Sequence, residues 1–370
     1  MGFFSEAFAK LRYKAPKLYL VLVTAKFAII DNNKEYIDKH YMLLNNDPSM
    51  LFLKDSLASM KDGQQASEKT PAMDSHFTVP CSGMVTYEIS EQGENYGFFA
   101  ELKVLLEKLL FAQMHGFAPS VKYTKGYLYF DEDMAKTVSN PFEYFFEPIE
   151  SSGESKAYTT HSSSTHSNYI EALYGIKDYY TPKALDEALV EIIKKYIHIK
   201  SEITAPVEEI FANKGAGGKK ILGIHYRGTD YKQDAKSHPT HISFDQLKSA
   251  IAAVAGDYDY IYVATDEKGI CEKLKESFGD KVFYNEDCFR GNSDISVAFS
   301  KDERKNHHYL LGVEVIRDMY SLSKCDALIA GLSQVSYMAR LFKSSRNEEY
   351  SYINIIDNGI NTDGDFFRAN

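Results

Sequence analysis

Beyond residue 220, short apolar runs alternate with segments whose apolar residues recur every three or four positions. The runs predict strands at residues 221–226, 259–264, 281–284 and 326–330. The recurring segments predict helices at residues 244–255, 268–278, 308–323 and 334–343. Strands that alternate with helices are typical of a parallel sheet with crossover helices. This half of the chain is therefore expected to have an α/β fold.

The pattern before residue 214 is less regular. A strand-like segment near residue 85 leads through Gly97 to an amphipathic helix at residues 101–115, which Gly116 is expected to end. Further predictions are a strand at residues 120–123, an exposed loop at residues 151–168 and a helix at residues 182–199. The glycine-rich residues 214–219 predict a boundary between domains 1–213 and 214–370, with residues 1–75 as part of the first domain or as a separate extension.

The overall charge and hydropathy exclude several classes of protein. A net charge of -10 argues against a nucleic-acid partner, because such proteins carry a basic excess. No apolar run reaches eighteen residues and the start has no secretory signal, so a cytoplasmic protein without a membrane span is expected. Basic residues near the start leave peripheral contact with an anionic membrane open: Lys10, Arg12, Lys14 and Lys17.

Metal-binding patterns are weak. The four cysteines lie far apart and form no CxxC pair, so reduced thiols are expected and zinc is not. His161 and His166 have no third ligand nearby. The acidic triplets at residues 131–133 and 257–259 resemble the metal-binding DxD pattern, but both lie in turn-like contexts and are expected to be solvated acids. No bound metal is predicted.

The first strand after the glycine-rich segment ends in three polar residues, His225, Arg227 and Asp230. In open α/β sheets, ligands bind beyond the carboxyl ends of the strands. An arginine there offers a planar fork of donors that matches a phosphate group. The alternative is that Arg227 and Asp230 simply pair with each other.

Two other strands of this half also end in polar residues. Asp266 and Glu267 follow the second strand, and Ser333 and Gln334 follow the fourth, at the start of a helix. Because parallel strands end at one edge, these side chains are expected to converge with Arg227. Ser333 would then face a phosphate, or it would act only as a helix N-cap.

Aromatic and acidic residues form a block at residues 127–130 and 140–148. Rings stack on the C–H faces of sugars and carboxylates accept hydroxyl protons, so Glu143 and Glu147 are candidates for the acceptor side of a saccharide site. The alternative is that the rings belong to the hydrophobic core.

Taken together, these motifs resemble a known family. Several parts of the sequence resemble the three motifs of inverting fucosyltransferases of the α-1,6 type. They are the His-x-Arg at residues 225–227 with Thr229 and Asp230, the segment 262–267, Asp318, and the segment 323–335. That group includes the core N-glycan enzymes and the rhizobial nodulation fucosyltransferase, with protein O-fucosyltransferases as relatives. The resemblance covers residues 221–343 and is fainter at residues 95–99 and 140–148.

The resemblance implies a GT-B architecture, in which two Rossmann-like domains face a central cleft and the C-terminal one holds most of GDP-fucose. It implies no metal and no cofactor beyond that donor. The acceptor expected is a bacterial glycan or a lipid-linked saccharide. Arg227 matches the arginine on the diphosphate. The other positions matched to donor binding are Asn95, Gly97, Phe98, His225, Thr229, Asp230, Asp266, Glu267, Asp318, Ser333 and Gln334. The chain departs from the pattern at Gly228, where the family has a second arginine, and at Tyr231, where it has lysine.

The chemistry of glycosyl transfer assigns two further roles. A guanidinium aimed at the departing diphosphate lowers the barrier, which is the role expected for Arg227. An inverting displacement also needs a base for the acceptor hydroxyl. The resemblance implies Asp234 for this role, because it lies where the family carries a carboxylate base, and Glu143 and Glu147 compete with it. Two alternatives stay open: a transferase of this fold with another nucleotide sugar, and a glycan-binding protein without catalysis.

Overall fold

The computed structural model describes residues 85–93, 96–149, 158–176, 179–233, 235–291 and 296–363. The chain groups into two compact units. The first comprises Met1–Ser90, Glu107–Val121 and Ile149–Ile176, and the second comprises Glu91–Leu106, Lys122–Pro148 and Lys177–Asn370. The expectations for residues 1–75, including basic contact with a membrane, lie outside the described residues. The boundary between residues 213 and 214 stays a prediction.

A parallel sheet of three strands organises the first unit. Strands β1 (Val85–Ile89), β2 (Ala118–Val121) and β3 (Tyr158–His161) pair in the order β2-β1-β3. Helix α1 (Phe98–Met114) connects β1 to β2. Gly116 follows it with a φ of 68°, a left-handed conformation that glycine adopts without steric cost. The strand predicted near residue 85, the helix that follows it and its end at Gly116 are confirmed. Strand β2 begins two residues earlier than predicted.

The loop predicted at residues 151–168 is wrong in part. Residues 158–161 form β3, and residues 164–174 form helix α2 (Ser164–Tyr174). The polar composition suggested solvent exposure, but His166 is buried, with its Nδ1 2.6 Å from the Tyr87 hydroxyl and its ring stacked 4.4 Å from Phe111. A buried polar side chain is tolerated when it is hydrogen-bonded in this way.

The second unit contains a parallel sheet of five strands. They are β4 (Ile221–Tyr226), β5 (Tyr260–Thr265), β6 (Val282–Phe283), β7 (Ala327–Gly331) and β8 (Tyr352–Ile356), in the order β6-β5-β4-β7-β8. Its helices are α3 (Lys183–Tyr196), α4 (Ser201–Asn213), α5 (Phe244–Ala252), α6 (Ile270–Phe278), α7 (His307–Lys324) and α8 (Gln334–Ser345). The elements predicted beyond residue 220 are confirmed. Neither β8 nor α4 was expected.

The central strands of this sheet explain where a ligand would bind. Every residue of β4 and β7 is buried, as expected for parallel strands that helices cover on both faces. The strand order reverses between these two strands, because β5 continues from one side of β4 and β7 lies on the other. Open α/β sheets bind ligands at the carboxyl ends of the strands on either side of such a reversal. The mixed α/β fold with parallel sheets is confirmed, whereas a second Rossmann-like domain across a cleft stays a prediction.

Candidate active site

A cavity of about 340 Å³ opens at the carboxyl ends of β4, β5 and β7, and all of its lining residues belong to the second unit. The structure brings nine of the residues predicted from the sequence into its wall: Gly97, Phe98, His225, Arg227, Asp230, Asp266, Asp318, Ser333 and Gln334. The expected convergence of three strand ends at one edge of the sheet is confirmed. The roles of the individual residues stay predictions.

Arg227 is held by two carboxylates and a hydroxyl. Its Nη1 donates to Asp266 Oδ2 at 2.8 Å, and its Nη2 donates to Asp230 Oδ1 at 2.7 Å and to Ser296 Oγ at 2.9 Å. The pairing of Arg227 with Asp230, offered as an alternative above, is therefore confirmed, yet the arginine also lines the cavity and keeps 22% of its side chain exposed. Among the described residues, these contacts use three of its five N–H donors.

The carboxylate of Asp266 is the centre of a buried network. It accepts the backbone N–H of Gly228 at 2.9 Å and the Thr229 hydroxyl at 2.7 Å, in addition to Arg227. Burial alone would raise the pKa of Asp266, but the Arg227 guanidinium and these hydrogen bonds outweigh it and lower that pKa. Asp266 therefore stays ionised and fixes the orientation of the guanidinium.

His225 lies beside this network with 4% of its surface exposed. Burial lowers the pKa of His225 below its ordinary value, so its imidazole is neutral near pH 7. Its Nδ1 has no hydrogen-bond partner among the described residues, although the residue lines the cavity. A buried nitrogen of this kind is suited to bond with a polar ligand group.

Two helix N-termini also line the cavity. Helix α1 begins at Phe98, whose backbone N–H donates to the Tyr129 hydroxyl at 2.9 Å. Helix α8 begins after Ser333, whose hydroxyl accepts the backbone N–H of Val335 at 3.3 Å, which confirms the N-cap alternative for this serine. The positive ends of two helix dipoles therefore meet at one cavity, which favours an anionic ligand.

Asp318 reaches the cavity wall from helix α7. Its Oδ1 accepts the Tyr262 hydroxyl at 2.7 Å and Asn285 Nδ2 at 3.0 Å. Burial raises the pKa of Asp318 to about 6, even though Arg290 and these two donors favour the ionised form. Because both bonds fall on Oδ1, Oδ2 is available to accept a donor from a ligand.

An ion pair holds Glu314, another residue of the cavity wall, in place. Arg304 donates from Nη1 to Glu314 Oε1 at 2.5 Å and from Nη2 to Oε2 at 2.9 Å, a bidentate arrangement, and its Nε donates to His307 at 2.8 Å. Residues 296–299 line the cavity between these contacts and Arg227, and Ser296 bonds to Arg227 directly. Ser300, which follows this segment, lies with its hydroxyl 3.1 Å from His307 Nε2, so the segment is held at both ends.

Aromatic side chains complete the wall: Tyr96, Phe98, Phe99, Tyr129, Tyr179 and Tyr231. The Tyr231 ring centre lies 5.7 Å from the Arg227 guanidinium carbon and 6.0 Å from the His238 ring. Tyr231 also forms a side-chain hydrogen bond with Tyr179. Rings with polar tips next to an arginine suit a sugar attached to a phosphate.

Four predicted site residues that the structure describes are not in this wall: Thr229, Glu267, Glu143 and Glu147. Thr229 is fully buried and supports Asp230 and Asp266 from behind through its hydroxyl. Glu267 pairs with Lys232 at 2.8 Å and packs against Gly228, where an added Cβ would overlap its carboxylate. The acceptor-side roles of Glu143 and Glu147 stay predictions. Asn95 and Asp234 lie outside the described residues.

The aromatic block at residues 140–148 belongs to the core. Its four rings are between 0 and 3% exposed: Phe142, Tyr144, Phe145 and Phe146. Phe145 packs edge-on against Phe98 at 5.1 Å and stacks on Tyr309 at 5.7 Å. The core alternative is therefore confirmed for these rings, and the sugar contacts assigned to them are wrong.

In the described ranges, no cluster of three or more His, Cys, Asp or Glu is arranged to hold a metal. The acidic triplets serve turns and loops: Asp131 accepts the backbone N–H of Asp133, and Asp259 accepts that of Lys220. None of the helices in these ranges is both long and apolar enough to cross a bilayer.

Several residues of the site were not predicted from the sequence. They are Tyr179, His238, Ser296 and Glu314 in the wall, with Tyr262 and Asn285 behind Asp318. Tyr129 in the wall comes from the aromatic segment 127–130. Asn285 could have been found, because it follows β6 just as Asp266 follows β5. Tyr179 and Ser296 come from irregular segments, for which periodicity gives no signal.

Comparisons with known proteins add distant structural matches. No protein-family model matches the chain, and no curated protein matches its sequence. Among solved structures, it is similar to the fucosyltransferase NodZ from Bradyrhizobium, with 16% identity and a TM-score of 0.39 over 70% of this chain and 92% of that one. It is also similar to POFUT1 in complex with GDP-fucose, with 10% identity and a TM-score of 0.40 over 74% and 98%. At these scores, the similarity carries no assignment of activity.

Proposed function

We propose that this protein is a metal-independent glycosyltransferase that moves fucose from GDP-fucose to a saccharide acceptor with inversion, and that it needs no cofactor beyond this donor. The observation that carries the proposal is the single cavity in which the Arg227 guanidinium and the N-termini of α1 and α8 come together. Such a set of N–H donors suits a diphosphate. The resemblance of residues 221–343 to the fucosyltransferase motifs supports the same donor.

The geometry suggests how the leaving group is stabilised. As the glycosidic C–O bond breaks, negative charge develops on the diphosphate oxygen, and an oriented N–H donor of Arg227 stabilises it. Asp230, Asp266 and Ser296 hold the guanidinium in place before the substrate arrives. Preorganisation of this kind removes the cost of reorienting a flexible side chain during the reaction.

Asp318 supports guanine as the base. The guanine edge presents an N–H and an NH2 group next to each other, and the two lone pairs of Asp318 Oδ2 can accept both. Adenine and cytosine lack the N–H, and uracil flanks its N–H with oxygens that a carboxylate repels. Tyr262 and Asn285 hold the Asp318 carboxylate in place from behind.

A second candidate function is transfer from a different nucleotide sugar. It is favoured by Gly228, which stands where the family pattern has a second arginine. Glu267 occupies the space that a side chain at this position would need. The two candidates differ in which nucleotide binds.

Thermal-shift measurements with GDP, UDP, ADP and CMP test the proposal. A ligand that binds only the native state at a hundred times its Kd adds about 2.7 kcal/mol of stability. GDP is expected to raise Tm most, by the same amount with and without EDTA. A larger shift with UDP, ADP or CMP would favour the second candidate, and no shift with any nucleotide would contradict both.

The affinity for GDP-fucose is expected to depend on pH through Asp318. Since a base with N–H donors binds the ionised carboxylate, affinity is constant above the pKa of about 6 and falls as pH drops through it. The limit is about tenfold per pH unit. The sugar nucleotide is the right probe for calorimetry, because its diphosphate has no proton to lose in this range.

The matched variant for this measurement is Asp318→Asn, which keeps the shape of the side chain but cannot ionise. It is expected to bind GDP-fucose more weakly at pH 7 and with little change between pH 5 and pH 7. If the variant kept the pH dependence of the wild-type protein, another group would be responsible for it.

A further inference from the structure

His238 lies in the cavity wall on a loop whose backbone is fixed on both sides. The loop pairs with residues near the end of the described chain: Ser237 N–H donates to Asn361 O at 2.9 Å, and Asn361 N–H donates to His238 O at 2.9 Å. Thr240 adds a backbone bond to Gly359 at 2.8 Å and a side-chain bond to Asn361 at 2.7 Å. The position of His238 is therefore set by hydrogen bonds on either side of it.

The residue before His238 has an unusual backbone conformation. Ser237 has a φ of 65°, in the left-handed region that residues other than glycine seldom adopt. Such a conformation persists only where the surrounding structure enforces it, and it is found most often at functional sites. Here it directs His238 towards the cavity while the neighbouring backbone stays paired with residues 359–361.

The surroundings of His238 suit a group that accepts a proton. Its ring meets the Tyr231 ring edge-on at 6.0 Å, and Asp230 and Arg227 are among the charged groups that act on it. Burial lowers the pKa of His238 below the usual 6.5, so the imidazole is neutral near pH 7 and can accept a proton. Half-buried in the wall, it remains within reach of a ligand.

The carboxylates in the described part of the wall are engaged elsewhere. Asp230 and Asp266 hold Arg227, and Glu314 holds Arg304. Asp318 is bound through Oδ1 by Tyr262 and Asn285, and its other oxygen is assigned to the nucleotide base. His225 has only 4% of its surface exposed. Of these acid–base groups, His238 alone combines a neutral form at pH 7 with partial exposure in the wall.

We propose that His238 is the catalytic base that takes the proton from the acceptor hydroxyl. This inference rests on the proposed glycosyl transfer and adds a residue that the sequence did not suggest. In the step, the hydroxyl oxygen forms a bond to the anomeric carbon while its proton moves to an imidazole nitrogen of His238. The bond from the anomeric carbon to the diphosphate breaks, and its electron pair leaves with the nucleoside diphosphate.

The experiment compares wild-type protein with His238→Gln in initial-rate measurements of GDP-fucose turnover, with a saccharide or water as acceptor. The variant is expected to lower kcat by about 10²-fold, in line with the loss of a general base. Its Kd for GDP is expected to stay within about twofold, because a base for the acceptor does not bind the nucleotide. The wild-type kcat is expected to fall as pH drops through the lowered pKa of His238, because the protonated imidazole cannot accept a proton, and the variant is expected to lack this acidic limb.

His241→Gln is the matched control, since His241 lies three residues away, bonds to the Tyr226 hydroxyl at 3.0 Å and is absent from the cavity lining. It is expected to keep kcat and its pH profile. A second variant, His238→Ala, is expected to regain turnover when free imidazole is added. Chemical rescue separates a proton acceptor from a merely structural histidine.

The inference is overturned if His238→Gln keeps wild-type kcat and the acidic limb, or if it loses GDP binding in parallel with kcat. It is also overturned, with the proposed function intact, if Asp234→Asn removes the limb and His238→Gln does not. If the wild-type protein neither binds GDP nor converts GDP-fucose, the proposed function itself is wrong.

Discussion

Replacing Arg227 with lysine is expected to lower the turnover of GDP-fucose by about 10³-fold, the upper range for the loss of one oriented transition-state donor. Lysine keeps a positive charge next to Asp230 and Asp266, so the buried carboxylates are not left without a counter-charge. A single ammonium cannot replace the planar fork that bonds two carboxylates while facing the cavity. Initial-rate assays of GDP-fucose consumption measure the effect.

The conservative change matters because Arg227→Ala would leave two buried carboxylates unpaired, at a cost of about 3–5 kcal/mol. The control is Arg346→Lys, which alters an arginine bonded to Ser323 and Glu348 outside the cavity lining. Turnover near the wild-type rate in Arg227→Lys, with a Tm equal to that of the control, would contradict the role of the guanidinium.

Gly228→Ala is expected to lower the free energy of unfolding by about 1–3 kcal/mol, as overpacking does elsewhere. A Cβ at this position would overlap the Glu267 carboxylate and approach the Tyr226 ring within 2.8 Å. Relieving the overlap requires Glu267 to move, which breaks its ion pair with Lys232, or the backbone of residue 228 to shift, which disturbs the N–H that donates to Asp266. Chemical denaturation measures the loss of stability.

Gly217→Ala is the control for this change, because an added Cβ there meets nothing within 4 Å. It is expected to leave stability within about 0.5 kcal/mol of the wild-type value. The double variant Gly228→Ala with Glu267→Gly is expected to recover part of the lost stability, since the clashing side chain is gone. If Gly228→Ala and Gly217→Ala had the same free energy of unfolding, the Glu267 side chain would move aside without loss of stability, which would contradict the prediction.

The sheet of the second unit could be predicted because its strands are buried on both faces and appear as continuous apolar runs. Edge strand β8 gave no such run, since Tyr352 and Ile353 at its start are exposed. Helix α4 was not recognised, and it contains Pro206, which normally interrupts a helix. In α2, hydrogen bonding buries polar residues that composition alone assigns to a loop.

The candidate site was predictable where its side chains follow strands. His225, Arg227, Asp266 and Ser333 each lie at a strand end, and the rule for parallel sheets places them together. It does not reveal which of them pair with one another, so the double pairing of Arg227 came only from the structure. Residues such as Tyr129, Tyr179 and His238 reach the cavity through tertiary packing, which a local pattern does not encode.

The two carboxylates on Arg227 also bear on how a donor molecule approaches. Together they carry one more negative charge than the guanidinium can offset, and the chain as a whole has a net charge of -10. Little attractive field therefore extends beyond the mouth of the cavity towards an anion. Capture of the donor depends on short-range bonds formed after encounter, so its association rate should be ordinary rather than electrostatically steered.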